Sequence, residues 1–198
     1  MPAVKPNQLP RIEIAGISAL DLRDAQNAIR RAYGPRYHVN EQALWDVAAL
    51  WGIAPEHERI NPHGVFAPID ETIRVESGRS FAEIKLAQAP SGLWALATDY
   101  HLPNSGAGSA PSVWNHFAYF SRNDARSAGL GQLRERFATI GTRGGSDAKA
   151  AHEMMARIDE IAAEQMELFQ ECEQQSPKIK LSICNDDKLE NYHPTNRP

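Results

Sequence analysis

Five arginines between residues 121 and 145, Arg122, Arg126, Arg134, Arg136 and Arg143, follow directly on an aromatic segment that carries Trp114, Phe117 and Tyr119. A guanidinium forks onto phosphate oxygens and an aromatic ring stacks on an unpaired base, so cations beside rings are the chemistry of single-strand and shape readers. Arg122 and Arg126 are four residues apart and share a helix face. Arg122, Arg126, Arg134, Arg136 and Trp114 are therefore the nucleic-acid-binding candidates. The competing reading makes the aromatics core, with the arginines solvating a helix or pairing with the acidic helix that follows.

That following segment has the opposite charge. Residues 146–175 hold eight carboxylates against Lys149 and Arg157. Glu160, Glu164, Glu167 and Glu171 are spaced by 4, 3 and 4 residues, so they rise along one helix face. Such a face suits a basic groove on a partner protein, which makes these four the partner-binding candidates.

Catalytic and metal chemistry has less to work with. The run "HERINPHG" offers His57 and His63, to which His101 could be added by folding. Histidines six apart in a proline-bearing loop have no fixed geometry, so this metal-dependent enzyme reading ranks below the binding readings. The sequence contains no P-loop, no complete GxGxxG, no GxSxG and no HExxH. Cys172 and Cys184 are the only cysteines, which excludes a CxxC metal site and a disulfide framework. No catalytic residue, metal or cofactor is assigned.

The elements that must position these residues follow from periodicity. "RIEIA" alternates like a short strand, and Ser18 with Asp21 has capping-box spacing, predicting a helix through Leu22, Ala25, Ile29 and Ala32. Asn40 is the N-cap of a second helix with an inward stripe of Leu44, Val47, Ala48 and Trp51. The stretch "DVAALWGIAPEHERI" has the start of a helix-turn-helix, which Pro62 cuts short. A short strand is expected near "TIRVE", then a hairpin of "FAEIKLAQ" and "LWALATDYHL" around the turn "APSG". Residues 103–112 lack anything to pack or to form a ladder, so they predict a mobile loop into a third strand, "VWNHFAYF".

Ser121 and Asp124 then open a third helix with a stripe of Leu130, Leu133, Phe137 and Ile140. Gly129 and Gly131 inside it read as a local break or close packing, or as a hinge. Ala151, Met154, Ile158, Ile161, Gln165, Leu168 and Cys172 make a heptad seam on a long helix over residues 147–174. That seam predicts an antiparallel hairpin with the third helix, and residues 151–172 are also a candidate homodimer seam. "KIKLSI" reads as a final edge strand.

Residues 83–137, with "GLWAL", "NSGAGSAPSVW", "HFAYF" and "SRNDARSAG" in that order, resemble a β-β-α module of uncharacterised proteins carried on bacterial plasmids, phages and integrated elements. The module also resembles three-strand-plus-helix DNA-binding domains of the AP2 and integrase-arm type. The resemblance implies a mobile-element protein with a nucleic-acid-associated role, or an inhibitor of a host defence system, anti-CRISPR-like or anti-restriction.

The expectation is an α+β fold: two N-terminal helices, a mainly antiparallel sheet, and a C-terminal helical hairpin whose long heptad-bearing helix leads to the edge strand. Its parts are a flexible arm (1–10), an α+β domain (11–145), the long helix and edge strand (146–184) and a polar tail (185–198). The start "MPAVKPNQLPRIEIAG" lacks a secretory signal pattern and no run is long and apolar enough to span a bilayer, so a cytoplasmic protein is expected, without a membrane. The expected function is non-enzymatic binding, with nucleic acid or a nucleic-acid-handling protein complex as partner.

Overall fold

A computed structural model describes residues 9–55 and 58–175, with side chains through residue 163. The expected edge strand at "KIKLSI", the polar tail and most of the N-terminal arm lie outside the described residues.

The fold is α+β around one antiparallel sheet. Its strands are β1 (Arg11–Ile14), β2 (Ile17–Asp21), β3 (Glu71–Ser77), β4 (Ser80–Gln88), β5 (Trp94–His101), β6 (Gly106–Gly108) and β7 (Phe117–Tyr119). The spatial order is β1-β2-β7-β5-β4-β3, with β6 paired to the far end of β5. The helices are α1 (Arg23–Tyr33), α2 (Glu41–Ala49), α3 (Arg122–Gly141) and α4 (Gly145–Gln175), with a 3-10 segment over Gly34–Val39 between the first two.

Period-two alternation sorts each central strand between two cores. Leu20, Ala87, Ala95 and Ala118 face α1, α2 and the fully buried Trp51. Ala19, Leu86, Leu96 and Tyr119, their chain neighbours, face α3 and α4. Ala87 stands opposite Ala95, with Ala118 nearby on β7, and these small side chains leave room for Trp51 and for Phe66, whose rings meet edge to face at 5.5 Å. Burial of one such indole stabilises by roughly 3 kcal/mol or more.

Several expected elements form as read. Asn40 Oδ1 accepts from Ala43 N at 3.0 Å to cap α2, and Ser121 Oγ accepts from Asp124 N at 3.0 Å to cap α3. The β4–β5 hairpin keeps its register from Phe81↔His101 to Gln88↔Trp94. Helices α3 and α4 pack antiparallel, with Gly141 beside His152 and Arg134 beside Asp159, and Ala151, Met154 and Ile158 of the heptad seam are buried there. The side chains of Gln165, Leu168 and Cys172 lie outside the described residues.

Three expectations change. Ser18 does not open a helix: residues 17–21 form β2, because Ala19 and Leu20 are buried on opposite faces between β1 and β7. Asp21 instead accepts from Arg23 N at 3.0 Å as α1 begins. The strand expected over "VWNHFAYF" shrinks to Phe117–Tyr119, since Asn115 folds residues 112–115 into a turn by accepting from Ser112 N at 2.8 Å. The loop 103–112 contains β6, whose ladder needs only the main-chain groups that glycine also carries. Among the described residues no recognition helix follows α2: 55 and 58–64 lie in turns and an isolated bridge.

The two glycines of α3 separate cleanly. A Cβ on Gly129 would stand 2.7 Å from Ile84 Cγ2 and 3.0 Å from Leu96 Cδ1, so α3 lies against the sheet at that point; a Cβ on Gly131 would meet nothing within 4 Å. Gly129→Ala should destabilise by about 1–3 kcal/mol through overpacking. Gly131→Ala should stabilise by up to about 1 kcal/mol through helix propensity. Urea denaturation midpoints of the two variants check this, and equal effects would contradict the close approach.

Candidate functional site

The arginines singled out from sequence do not share a surface. Arg122 is held by Glu71 of β3, its Nη2 donating at 2.6 Å, and Glu71 pushes the guanidinium pKa up. Arg134 reaches Asp159 of α4 at 3.3 Å. Arg126 is half-buried, and its Nε is out of solvent without a hydrogen-bond partner. Arg136 is exposed and lines, with Arg143, Gln132 and Thr139, a groove of about 440 Å³ against Thr98 and Tyr100. Trp114 lies on the other side of the sheet, packed on the core beneath α1 and α2.

The other candidates are equally dispersed. Glu160 is exposed and accepts from Arg157 at 2.8 Å, a pair internal to α4. Glu164, Glu167 and Glu171 belong to α4, and their side chains lie outside the described residues, as does His57 entirely. His63 sits in an exposed turn, whereas His101 stacks on Phe81 at the end of β5, ring centroids 5.6 Å apart. Among the described residues, no three His, Cys, Asp or Glu side chains gather into a group that could hold a metal.

The basic and aromatic groups that do converge lie around Trp114. The last turn of α1 presents Arg30 and Arg31, where cations also complement the helix dipole. The 3-10 segment then carries Arg36, Tyr37 and His38 past Trp114. Tyr37 meets Trp114 edge-on at 5.1 Å and His38 at 5.6 Å, while the Arg30 guanidinium lies 5.3 Å over the Tyr37 ring. Arg31, Arg36 and His38 are exposed. None of the three arginines has an ion-pair partner among the described residues. The nearby Asp46 is already engaged, accepting from the Tyr33 hydroxyl at 2.7 Å and from Gln42 at 3.0 Å. The Tyr33 bond to Asp46 raises the phenol pKa, so the hydroxyl remains a donor.

A cleft of about 350 Å³ opens beside His38. Val39, 71% exposed, and Leu44 and Trp45 supply its apolar walls, and Asn40, Glu41 and Asn61 its polar ones. The amide oxygens of both asparagines are occupied: Asn40 caps α2, and Asn61 accepts from His63 N at 2.9 Å and Val65 N at 3.1 Å. Their NH₂ groups donate to nothing among the described residues, which leaves donors beside the Glu41 carboxylate, an acceptor. An aromatic slot with donors and an acceptor at its rim has the chemistry to receive one planar polar ring.

The position of Trp114 is fixed from below. Gln26, fully buried, donates through Nε2 to Val113 O at 3.1 Å and to Asn115 O at 2.8 Å. Trp51 Nε1 donates to the same Val113 carbonyl at 2.9 Å. Gly64 completes the seat, because a Cβ there would stand 2.7 Å from Val113 Cγ2 and 3.1 Å from Trp114 Nε1. Arg30, Arg31 and Arg36 are not among the sequence candidates, because residues 30–60 set them and Arg59 against Glu41, Asp46, Glu56 and Glu58 and so carry no net charge. The signal that would have found them is the run "RRAYGPRYH" itself, cations interleaved with rings.

Beyond the reach of α1 and α2, the same sheet face carries charge. Glu83 and Asp99 stand opposite each other on β4 and β5, a repulsive arrangement that Lys85 relieves at 3.3 Å and 3.1 Å. Arg74 adds a bond to Glu83 at 2.6 Å and lies 4.1 Å over Phe81. The Arg74 bond, with Lys85 behind it, holds the Glu83 carboxyl below its usual pKa. A depressed carboxyl pKa contributes stability that is present above the unfolded value of about 4.3 and is lost as pH falls through the folded one. Glu83→Gln should therefore lower the urea midpoint at about pH 6 and converge on the unsubstituted protein by about pH 2. A gap that stays constant with pH would contradict the ion network.

No family model matches the chain, and comparison with curated proteins and with solved structures gave no match.

Proposed function

We propose that the protein is a non-enzymatic binder of single-stranded nucleic acid, with the accessory or regulatory role expected of a bacterial mobile-element protein. The observation that carries this reading is the Arg30 guanidinium over the Tyr37 ring, which meets both Trp114 and His38, with His38 lining the Trp45 cleft and the exposed Arg31 and Arg36 next in the chain to Arg30 and Tyr37. Arg31 and Arg36 engage phosphates, and an unstacked base enters the cleft between His38 and Trp45. Its edge is met by the amide groups of Asn40 and Asn61 and by Glu41, which favours a base with an exocyclic amino group. A duplex keeps its bases stacked, so the cleft selects single strands.

The groove beneath Arg136 and Arg143 is the weaker surface for this chemistry. It includes Glu135, and its aromatic member, Tyr100, is turned edge-on to the buried Phe137 at 5.6 Å.

The test is fluorescence anisotropy with labelled single- and double-stranded oligonucleotides. Arg31→Glu with Arg36→Glu should weaken single-strand binding at least about tenfold and flatten its salt dependence, since two phosphate contacts are lost. Arg122→Glu, which breaks an internal pair with Glu71, should leave both unchanged. Equal losses in the two variants, or no binding by the unsubstituted protein at low salt, would overturn the assignment.

A further inference from the structure

Strand β1 ends the sheet, and among the described residues it pairs with β2 alone. The direction of its main-chain groups follows from the hairpin. Ala15 and Gly16, with φ of 51° and 80°, make a two-residue turn that closes Ile14 onto Ile17, and Asp21 N donates to Pro10 O at 2.9 Å. Bonding alternates along an antiparallel ladder, so Pro10, Ile12 and Ile14 turn their main-chain groups toward β2. The N–H and C=O of Arg11 and Glu13 therefore point outward, four groups without a main-chain partner among the described residues.

The side chains are arranged for pairing as well. Arg11 is opposite Leu20 and Glu13 opposite Ser18, which puts both charges on one face, while Ile12 and the 39% exposed Ile14 share the other. Neither Arg11 nor Glu13 has an ion-pair partner among the described residues; the Arg11 guanidinium rests on the Phe120 ring at 4.7 Å with its N–H edge available.

Charges on an edge strand commonly prevent edge-to-edge association. Here their order removes that protection against one partner, an identical strand. A two-fold antiparallel pairing centred on Arg11 sets arginine against arginine, and one centred on Glu13 sets glutamate against glutamate. Centring on Ile12 sets Arg11 against the partner's Glu13 twice and Ile12 against its own copy, and it engages all four outward groups.

We propose that two copies of this chain join through β1 in the Ile12-centred register, continuing the sheet across a two-fold axis. The dimer is short-edged and so concentration-dependent. It differs from one built on the heptad seam, whose Ala151, Met154 and Ile158 already pack within the α3–α4 hairpin.

Sedimentation velocity over a wide concentration range, without nucleic acid, tests this. The unsubstituted chain should shift from monomer to dimer, and Arg11→Glu or Glu13→Arg alone should raise the dissociation constant at least tenfold. Mixing those two variants should produce a heterodimer, and the double swap Arg11→Glu with Glu13→Arg should restore the homodimer, even where a single reversal folds poorly by circular dichroism. A chain monomeric throughout, single reversals that dimerise normally, or a double swap that stays monomeric would each overturn the proposal.

Discussion

Two buried donors, Gln26 Nε2 and Trp51 Nε1, converge on the carbonyl of Val113, and much of the molecule is arranged so that they can. Both come from the helical layer, one from α1 and one from the turn after α2. The acceptor belongs to the segment leading into β7, the strand that joins β2 to β5. These bonds therefore tie the helices to the point where the sheet is narrowest, since β7 meets β5 through the single pair Trp94↔Tyr119. The Asn115 side chain extends the tie by donating to Leu96 O on β5. An unsatisfied buried amide or carbonyl costs about 1–3 kcal/mol, so the set favours one arrangement over any that separates its members.

The same clamp converts a structural requirement into a surface. By folding residues 112–115 into a turn, it ends the aromatic segment as a strand and brings Trp114 to Tyr37. Rings and cations without ion-pair partners among the described residues then collect on the side of α1 and α2, while two arginines of α3 help hold the fold, Arg122 against Glu71 of β3 and Arg134 against Asp159 of α4. Charge asymmetry along the chain thus resolves in part into internal pairing, which exposed ion pairs make specific more than strong.

The legible parts of the sequence were those governed by local rules. The caps at Asn40 and Ser121, the β4–β5 hairpin and the α3–α4 hairpin each follow from side chains within a few positions of one another. What was not legible depended on distant partners. Ser18 and Asp21 have the spacing of a helix start, and only pairing with β1 and β7 makes them strand. "VWNHFAYF" alternates well enough for a strand, but its first half is turned aside by the Asn115–Ser112 bond together with Gln26, 87 residues from Val113, which bonds the carbonyls of Val113 and Asn115. For the candidate site, adjacency along the chain put Trp114 beside Arg122 and Arg126, whereas across the sheet its ring meets Tyr37, over which Arg30 lies.

The central claim is that this clamp presents Trp114 and the residues 30–45 as the nucleic-acid surface. Two-dimensional ¹⁵N–¹H correlation spectra recorded while a single-stranded oligonucleotide is added test it most directly. The account predicts that the indole N–H signals of Trp45 and Trp114 and the amides of residues 30–41 shift together in a saturable way, with those of residues 134–143 unmoved. Shifts confined to residues 134–143, or none across the spectrum, would contradict it.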